Sequence, residues 1–319
     1  MTLVEPFAGL GAYSLHAIAA RVGGRSTPPY SRMGSKAGFA KRLFAAWGLV
    51  SPVEAVWLND TCRVCQALWL SYASGEFRDA VAQRIWAMVP CRLCLPAVVA
   101  AAEAGTERPM PAALKGFDGC VECGGTGTRD ARRWWQECRT APVPGMGVDL
   151  GAVGAFLQSR SFSNKPISAG EEWQDHGYNP EMRASVRNPR QTLASKFQTL
   201  PGPHDIPMTL TGWDASAVLP TGPSPDHVVI LDPPYVGTSG YSGDSTRSVV
   251  VAIARAWADE GALVLIHEAE PVEIPGFTSR PAGVLRGQKS GFWKGGVERE
   301  WITSSRPPEW WPTVQGSLF

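Results

Sequence analysis

Residues 232–235 read Asp-Pro-Pro-Tyr and follow directly on the apolar run Val228–Leu231. The Asp232 carboxylate and the Pro233 carbonyl are both hydrogen-bond acceptors. Pro233 and Pro234 stiffen the turn that carries them, because each ring fixes its own φ. Tyr235 adds an aromatic face on which a flat base can stack. An exocyclic amino group on an aromatic ring suits this set. Such an amine is a poor nucleophile, since its lone pair is delocalised into the ring. Two fixed acceptors favour the tetrahedral nitrogen that forms as it attacks. Asp232 is also a candidate acceptor for the released proton.

A second chemical stretch is Glu5-Pro6-Phe7-Ala8-Gly9-Leu10-Gly11. Two glycines directly after an apolar run permit positive φ and close approach of backbone to a ligand. An ordinary tight turn is the alternative. Residue 14 is Ser14, so the spacing is not that of the G-x-G-x-x-G dinucleotide fingerprint. Asp60 ends the next apolar run (53–60), where a carboxylate can accept hydrogen bonds from both hydroxyls of a ribose.

These residues need elements to hold them. Residues 2–7 read as a strand and "AYSLHAIAARV" as a helix after the glycines. Residues 53–60 form a second strand and "TCRVCQALWLSYA" a helix. "DIPMTLTGWDA" is a third strand ending near Asp214, and 227–231 a fourth. A helix over 245–259, a strand over 261–267 and a β-hairpin within 277–304 complete the pattern. Alternating strands and helices imply an α/β fold with a mostly parallel sheet and right-handed crossovers. Ligands bind at the carboxyl ends of strands in such sheets. Gly9, Gly11, Asp60, Asp214 and Asp232 all fall at such ends.

Between 90 and 145 the periodicity gives way to cysteines, glycines and prolines. Cys91, Cys94, Cys120 and Cys123 form two C-x-x-C knuckles, a spacing that suits a tetrahedral structural zinc. Cys62 and Cys65 also form a C-x-x-C, but within a helix, where they read as small helix residues. Residues 145–205 are polar and irregular. Arg183, Arg187, Arg190 and Lys196 within them are candidate phosphate contacts; a solvated loop is the alternative.

Formal net charge is only +1, so bulk charge does not point to nucleic acid, and any such surface is a local patch. No basic start followed by an apolar run marks a signal peptide. No apolar stretch reaches the ~18–20 residues of a membrane span. The expectation is a soluble, cytoplasmic protein with no membrane partner.

The pair E-P-F-x-G-x-G and D-P-P-Y resembles the Dam-like DNA adenine-N6 methyltransferases. Their order, separated by more than 200 residues, is similar to the family's arrangement. "SRMGSKAGFAKRL" (31–43) resembles the family's segment whose lysine contacts the methionine part of the cofactor; here that is Lys36. The family usually places this segment before the glycine motif, and here it follows. "EREWITSS" looks like the family's last strand. The resemblance covers about 1–75 and 205–305.

It implies a Rossmann-like fold that uses S-adenosylmethionine. Glu5, Pro6, Phe7, Gly9 and Gly11 would line the cofactor, Asp60 would bind its ribose and Asp214 would lie near its adenine. Asp232, Pro233, Pro234 and Tyr235 would be catalytic. Duplex DNA would be the substrate, with the target base flipped out beside Tyr235. Cytosine-N4 and RNA guanine-N2 methyltransferases, and an inactive nucleic-acid-binding module, are the alternatives.

The implied organisation splits the methyltransferase domain into 1–89 and 205–305. A zinc-ribbon-like insertion at 90–145 and a target-recognition region at 146–204 lie between the halves. The tail, 306–319, carries Gln315, Ser317, Leu318 and Phe319. These resemble the short motif by which bacterial proteins bind the replication sliding clamp; a packed tail is the alternative. A bacterial host cell, with a phage or prophage origin, follows from the resemblance alone.

Overall fold

The structure is a computed structural model that describes residues 1–30, 37–49, 53–87, 131–160, 168–169, 172–173, 189–234, 247–284 and 299–307. The chain divides into two compact units. The first holds 1–28, 34–73 and 200–319; the second holds 29–33 and 74–199.

In the first unit β1 (Thr2–Glu5) leads through the glycine turn into α1 (Ala12–Val22), and α2 (Ala37–Ala46) follows. Next come β2 (Ala55–Asn59) and α3 (Arg63–Ala73). In the second unit α4 (Gly75–Ala87), α5 (Ala131–Thr140), α6 (Val148–Arg160) and α7 (Pro189–Gln198) are the described helices. The first unit resumes with β3 (Met208–Thr211) and β4 (His227–Leu231). It continues with α8 (Arg247–Asp259), β5 (Leu263–Glu268), β6 (Thr278–Val284) and β7 (Arg299–Ser304).

Seven strands among the described residues form one sheet in the order β3-β2-β1-β4-β5-β7-β6. β1 pairs in parallel with β2 and β4, β2 with β3, and β4 with β5. β7 alone runs against both of its neighbours. The expected hairpin is therefore present, with its second strand inserted between β5 and β6. Strand order reverses at β1, so the carboxyl ends of β1 and β4 flank a topological switch point.

β4 and β5 are buried along nearly their whole length, as strands covered on both faces must be. Val4, Val229, Leu231, Val264 and Ile266 of the sheet pack with Val250, Ile253, Ala254 and Trp257 of α8. The Trp257 indole N–H donates to the Val218 carbonyl at 2.9 Å, so the buried ring keeps its polar atom satisfied.

The second unit departs from the sequence expectation. Residues expected to be irregular include α5, α6 and α7. Helix α6 reads VDLGAVGAFLQSR, and glycines weigh against a helix by about 1 kcal/mol each. Tertiary packing overrides this: a Cβ added at Gly151 would lie 3.1 Å from a methyl of Val81 on α4. Gly151 is a close-approach point between helices, not a breaker. Leu150, Ala155 and Leu157 of α6 are buried, as are Val81, Ile85, Leu193 and Phe197 of the same unit. Trp135 of α5 is also buried, and the Arg139 guanidinium stands 5.4 Å from its ring centroid. Trp135 is thus a packing residue.

Candidate functional site

The glycine turn is held on every side. Gly9 and Gly11 both have positive φ, 51° and 62°. The Ala8 N–H donates to the Asn59 carbonyl at 2.9 Å, and the Gly9 N–H to a carboxylate oxygen of Asp60 at 2.9 Å. From α3, the Trp69 indole donates to the Gly9 carbonyl at 3.1 Å and the Tyr72 hydroxyl to the Leu10 carbonyl at 2.9 Å. A Cβ built on Gly9 meets nothing within 4 Å. The turn is fixed in shape and has room beside it.

At Gly11 the space is closed: a Cβ would lie 3.3 Å from the Trp69 indole nitrogen and 3.4 Å from Leu58. Gly11→Ala is therefore expected to destabilise the protein by about 1–2 kcal/mol for the left-handed backbone, plus the crowding. Urea unfolding checks this; an unchanged midpoint counts against it.

Asn59 is fully buried and knits β1, β2 and β3 together. Its amide nitrogen donates to the carbonyls of Pro6 (3.0 Å) and Trp213 (3.1 Å). Its side-chain oxygen accepts from the Trp213 N–H (3.0 Å) and the Thr211 hydroxyl (2.8 Å). Leucine here would strand one buried partner, the Pro6 carbonyl, and three part-buried ones, at about 1–3 kcal/mol for a fully buried group left unpaired and less for the others. A loss of at least about 3 kcal/mol is expected by chemical denaturation.

Asp60 divides its carboxylate between Gly9 and the Cys62 N–H, the latter at 2.8 Å. The second bond starts α3, because Cys62 precedes the helix and its carbonyl accepts from Gln66. Cys62 and Cys65 are both buried there. Glu5 is turned inward. Its carboxyl accepts from the Ser14 N–H at 2.7 Å and from the Ser14 hydroxyl at 2.5 Å. The N-cap of α1 is Gly11, which has no side chain to cap with, so Glu5 satisfies an amide of the first turn from β1. Burial pushes the Glu5 carboxyl up from 4.5 to about 7, against the opposing effect of the two Ser14 bonds.

Pro6 is buried, while Phe7 is partly exposed and packs on the core cluster of β1, β4 and β5. Asp214 is exposed and caps a short 3-10 turn, Ala215–Ala217, accepting from the Ser216 N–H at 2.8 Å and its hydroxyl at 2.5 Å. These bonds hold its carboxyl below the ordinary range. Trp213 beside it is 50% exposed, with its ring edge-on to Trp57 at 5.9 Å.

Asp232 follows β4 and is half-buried, Pro233 is buried and Pro234 half-buried. The β1–β4 register pairs Val4 with Val229, which brings the start of the glycine turn alongside the end of β4. Gly9, Asp60 and Asp232 therefore share one sheet edge.

Lys36, Tyr235, Cys91, Cys94, Cys120, Cys123, Arg183, Arg187, Gln315, Ser317, Leu318 and Phe319 lie outside the described residues. Among the described residues no group of three or more His, Cys, Asp or Glu side chains is arranged to hold a metal. No described helix is long and apolar enough to cross a membrane. Arg190 and Lys196 lie on α7, in the second unit; Lys196 is half-exposed.

Asn59, Trp69, Tyr72 and Trp213 are site residues that sequence reasoning missed. Asn59 and Trp213 each precede an acidic residue at a strand end, which is the signal that could have found them. Trp69 and Tyr72 lie on one face of α3, at the i, i+3 spacing that turns both toward the glycine turn. Compared with models of known protein families and with curated proteins, the chain matches none.

Proposed function

We propose that the protein is an S-adenosylmethionine-dependent methyltransferase that modifies the N6 amino group of adenine in DNA. The observation that carries this reading is the meeting of two motifs at one switch point. The glycine turn ends β1 and Asp232-Pro233-Pro234 ends β4, its neighbour. Cofactor and acceptor would thus be held side by side.

The open space at Gly9 fits a ligand that approaches the backbone closely. Asp60 fits a ribose, since a carboxylate has acceptor capacity beyond its bonds to the Gly9 and Cys62 N–H groups. The exposed Trp213 ring, next to Asp214, fits an adenine by stacking. S-adenosylmethionine, when bound, would supply an electrophilic methyl group, the methyl–sulfur bond breaking and its electron pair going to sulfur as the nitrogen–methyl bond forms. Asp232 and the Pro233 carbonyl would orient the amine by accepting its N–H bonds. The nitrogen sheds one proton as it gains a substituent, and Asp232 is the acceptor in this reading. A base in duplex DNA must leave the stack to reach such a pocket.

The test is methyl transfer from labelled S-adenosylmethionine to unmethylated DNA and, separately, to RNA, with the product nucleoside identified by mass spectrometry. N6-methyladenine in DNA supports the reading. N4-methylcytosine or N2-methylguanosine moves it to the related amine chemistries. No transfer to either polymer from a cofactor-bound protein overturns it.

A further inference from the structure

Trp213 is half-exposed, yet it is held as firmly as a core residue. Both ends of the buried Asn59 amide bear on it. The Trp213 N–H donates to Oδ1 of Asn59 at 3.0 Å, and the Trp213 carbonyl accepts from Nδ2 at 3.1 Å. Nδ2 also donates to the Pro6 carbonyl at 3.0 Å, where the glycine turn begins. A backbone N–H only donates and a carbonyl only accepts, so these partners fix which end of the amide is which.

The ring is held as well. Trp213 stands edge-on to Trp57, with 5.9 Å between the centroids. The Trp57 indole N–H donates to the Thr211 hydroxyl at 2.9 Å. That hydroxyl donates to Oδ1 of Asn59 at 2.8 Å, the atom that the Trp213 N–H also reaches. The Trp213 backbone, its ring, Trp57 and Thr211 thus close a circuit on Asn59. An aromatic side chain has only two rotatable bonds. Fixing its backbone and one side of its ring leaves a flat face in a set position.

Such a face suits a flat heteroaromatic ring. The next residue after Asn59 is Asp60, which bonds the Gly9 N–H. Two consecutive residues at the end of β2 therefore tie the ring, a carboxylate suited to a sugar, and the glycine turn to one another. We propose that Asn59 is a positioning residue for the purine of the cofactor. It holds Trp213 as a stacking platform in register with the glycine turn, and it acts on affinity through that ring. The inference rests on the reading of a nucleoside cofactor at the turn.

A double-substitution cycle on the full chain tests it, with binding of S-adenosylhomocysteine and of adenosine followed by calorimetry. Trp213→Ala should weaken both ligands at least about fivefold, the low end of what a base gains from an aromatic ring. Trp213→Phe should recover most of that loss. Asn59→Ser, whose single hydroxyl cannot serve four partners, should weaken both at least about fivefold. In the Trp213→Ala background the same change should cost less than about twofold. Equal losses in the two backgrounds overturn the proposal, because a merely structural Asn59 acts whether or not the ring is present. If Asn59→Ser fails to fold, Thr211→Val repeats the cycle, since it keeps the branched shape and removes only the hydroxyl. A loss of at least about threefold that vanishes without the ring is expected; no loss, or one independent of the ring, overturns the proposal. So does a Trp213→Ala protein that binds both ligands as the wild type does but loses affinity for a single-stranded DNA oligonucleotide, which assigns the ring to nucleic acid. A wild type that binds both ligands and transfers no methyl group to DNA or RNA ends the methyltransferase reading and leaves the platform standing. Methyl transfer with cofactor affinity untouched by Trp213→Ala does the reverse. Binding of neither ligand by the wild type overturns both.

Discussion

On the methyltransferase reading proposed above, replacing Asp232 with alanine is expected to lower methyl transfer by about 10²–10³-fold, the usual cost of removing one preorganised polar group from a transition state. Asp232 stands at a strand end, where its carboxylate can go without disturbing the core. It follows β4 and is half-buried, whereas the Pro233 ring beside it is buried and fixes the turn. Alanine removes the carboxylate and leaves that packing in place. Stability should change little, and affinity for the proposed cofactor should hold, because Gly9, Asp60 and Asn59 are untouched. The loss should therefore fall on kcat. A variant within tenfold of the wild type would remove Asp232 from the reaction.

The second large effect concerns Glu5 and stability. Burial raises its pKa from 4.5 to about 7 in the folded chain. Between those values the folded protein keeps a proton that the unfolded chain has lost. The stability that this proton contributes is complete below about pH 4.5 and is lost as pH rises through about 7. At 1.36 kcal/mol for each pH unit, the gap from 4.5 to about 7 corresponds to about 3 kcal/mol. Glu5→Gln keeps an oxygen that can accept both Ser14 bonds and removes the titration. Measured by urea unfolding between pH 4 and pH 8, the variant should gain about 3 kcal/mol relative to the wild type across that range. Parallel pH profiles for the two proteins would refute this.

How far the sequence reaches depends on the distance over which a feature is decided. The glycine turn is local: Gly9 and Gly11 take the positive φ that their position after a strand implied. The strands after which Asp60 and Asp232 stand were legible for the same reason, since short apolar runs end at turn residues. Helix α6 was not, because Gly151 reads as a breaker until Val81 is seen against it. Asn59 looks like an unremarked strand residue, yet it bonds to a segment 154 residues away. His267 has no neighbour in sequence that hints at a role, and Tyr13 and Glu300 beside its ring come from α1 and β7. A carboxylate after a strand suits a ligand; the bond of Asp60 to the Gly9 N–H, which also makes it a brace for the turn, is a three-dimensional fact.

The sheet order carries a consequence for how the chain assembles. β1 is paired with β4 across a sequence gap that runs from Thr2 to His227. β5 gains its second neighbour only from β7, whose residues 299–304 follow it and β6 along the chain. During synthesis, which proceeds from the amino end, the first strand must wait for most of the polypeptide before its inner edge is covered. The edge of β5 stays open longer still. Pairings this distant slow the search for the native arrangement. Until β7 arrives, β5 presents a fully buried-type strand with one bare edge, a template for pairing with other chains. A nascent chain stopped before residue 299 should therefore depend on chaperones to stay unaggregated, and release of the last strand is the step that frees it from them.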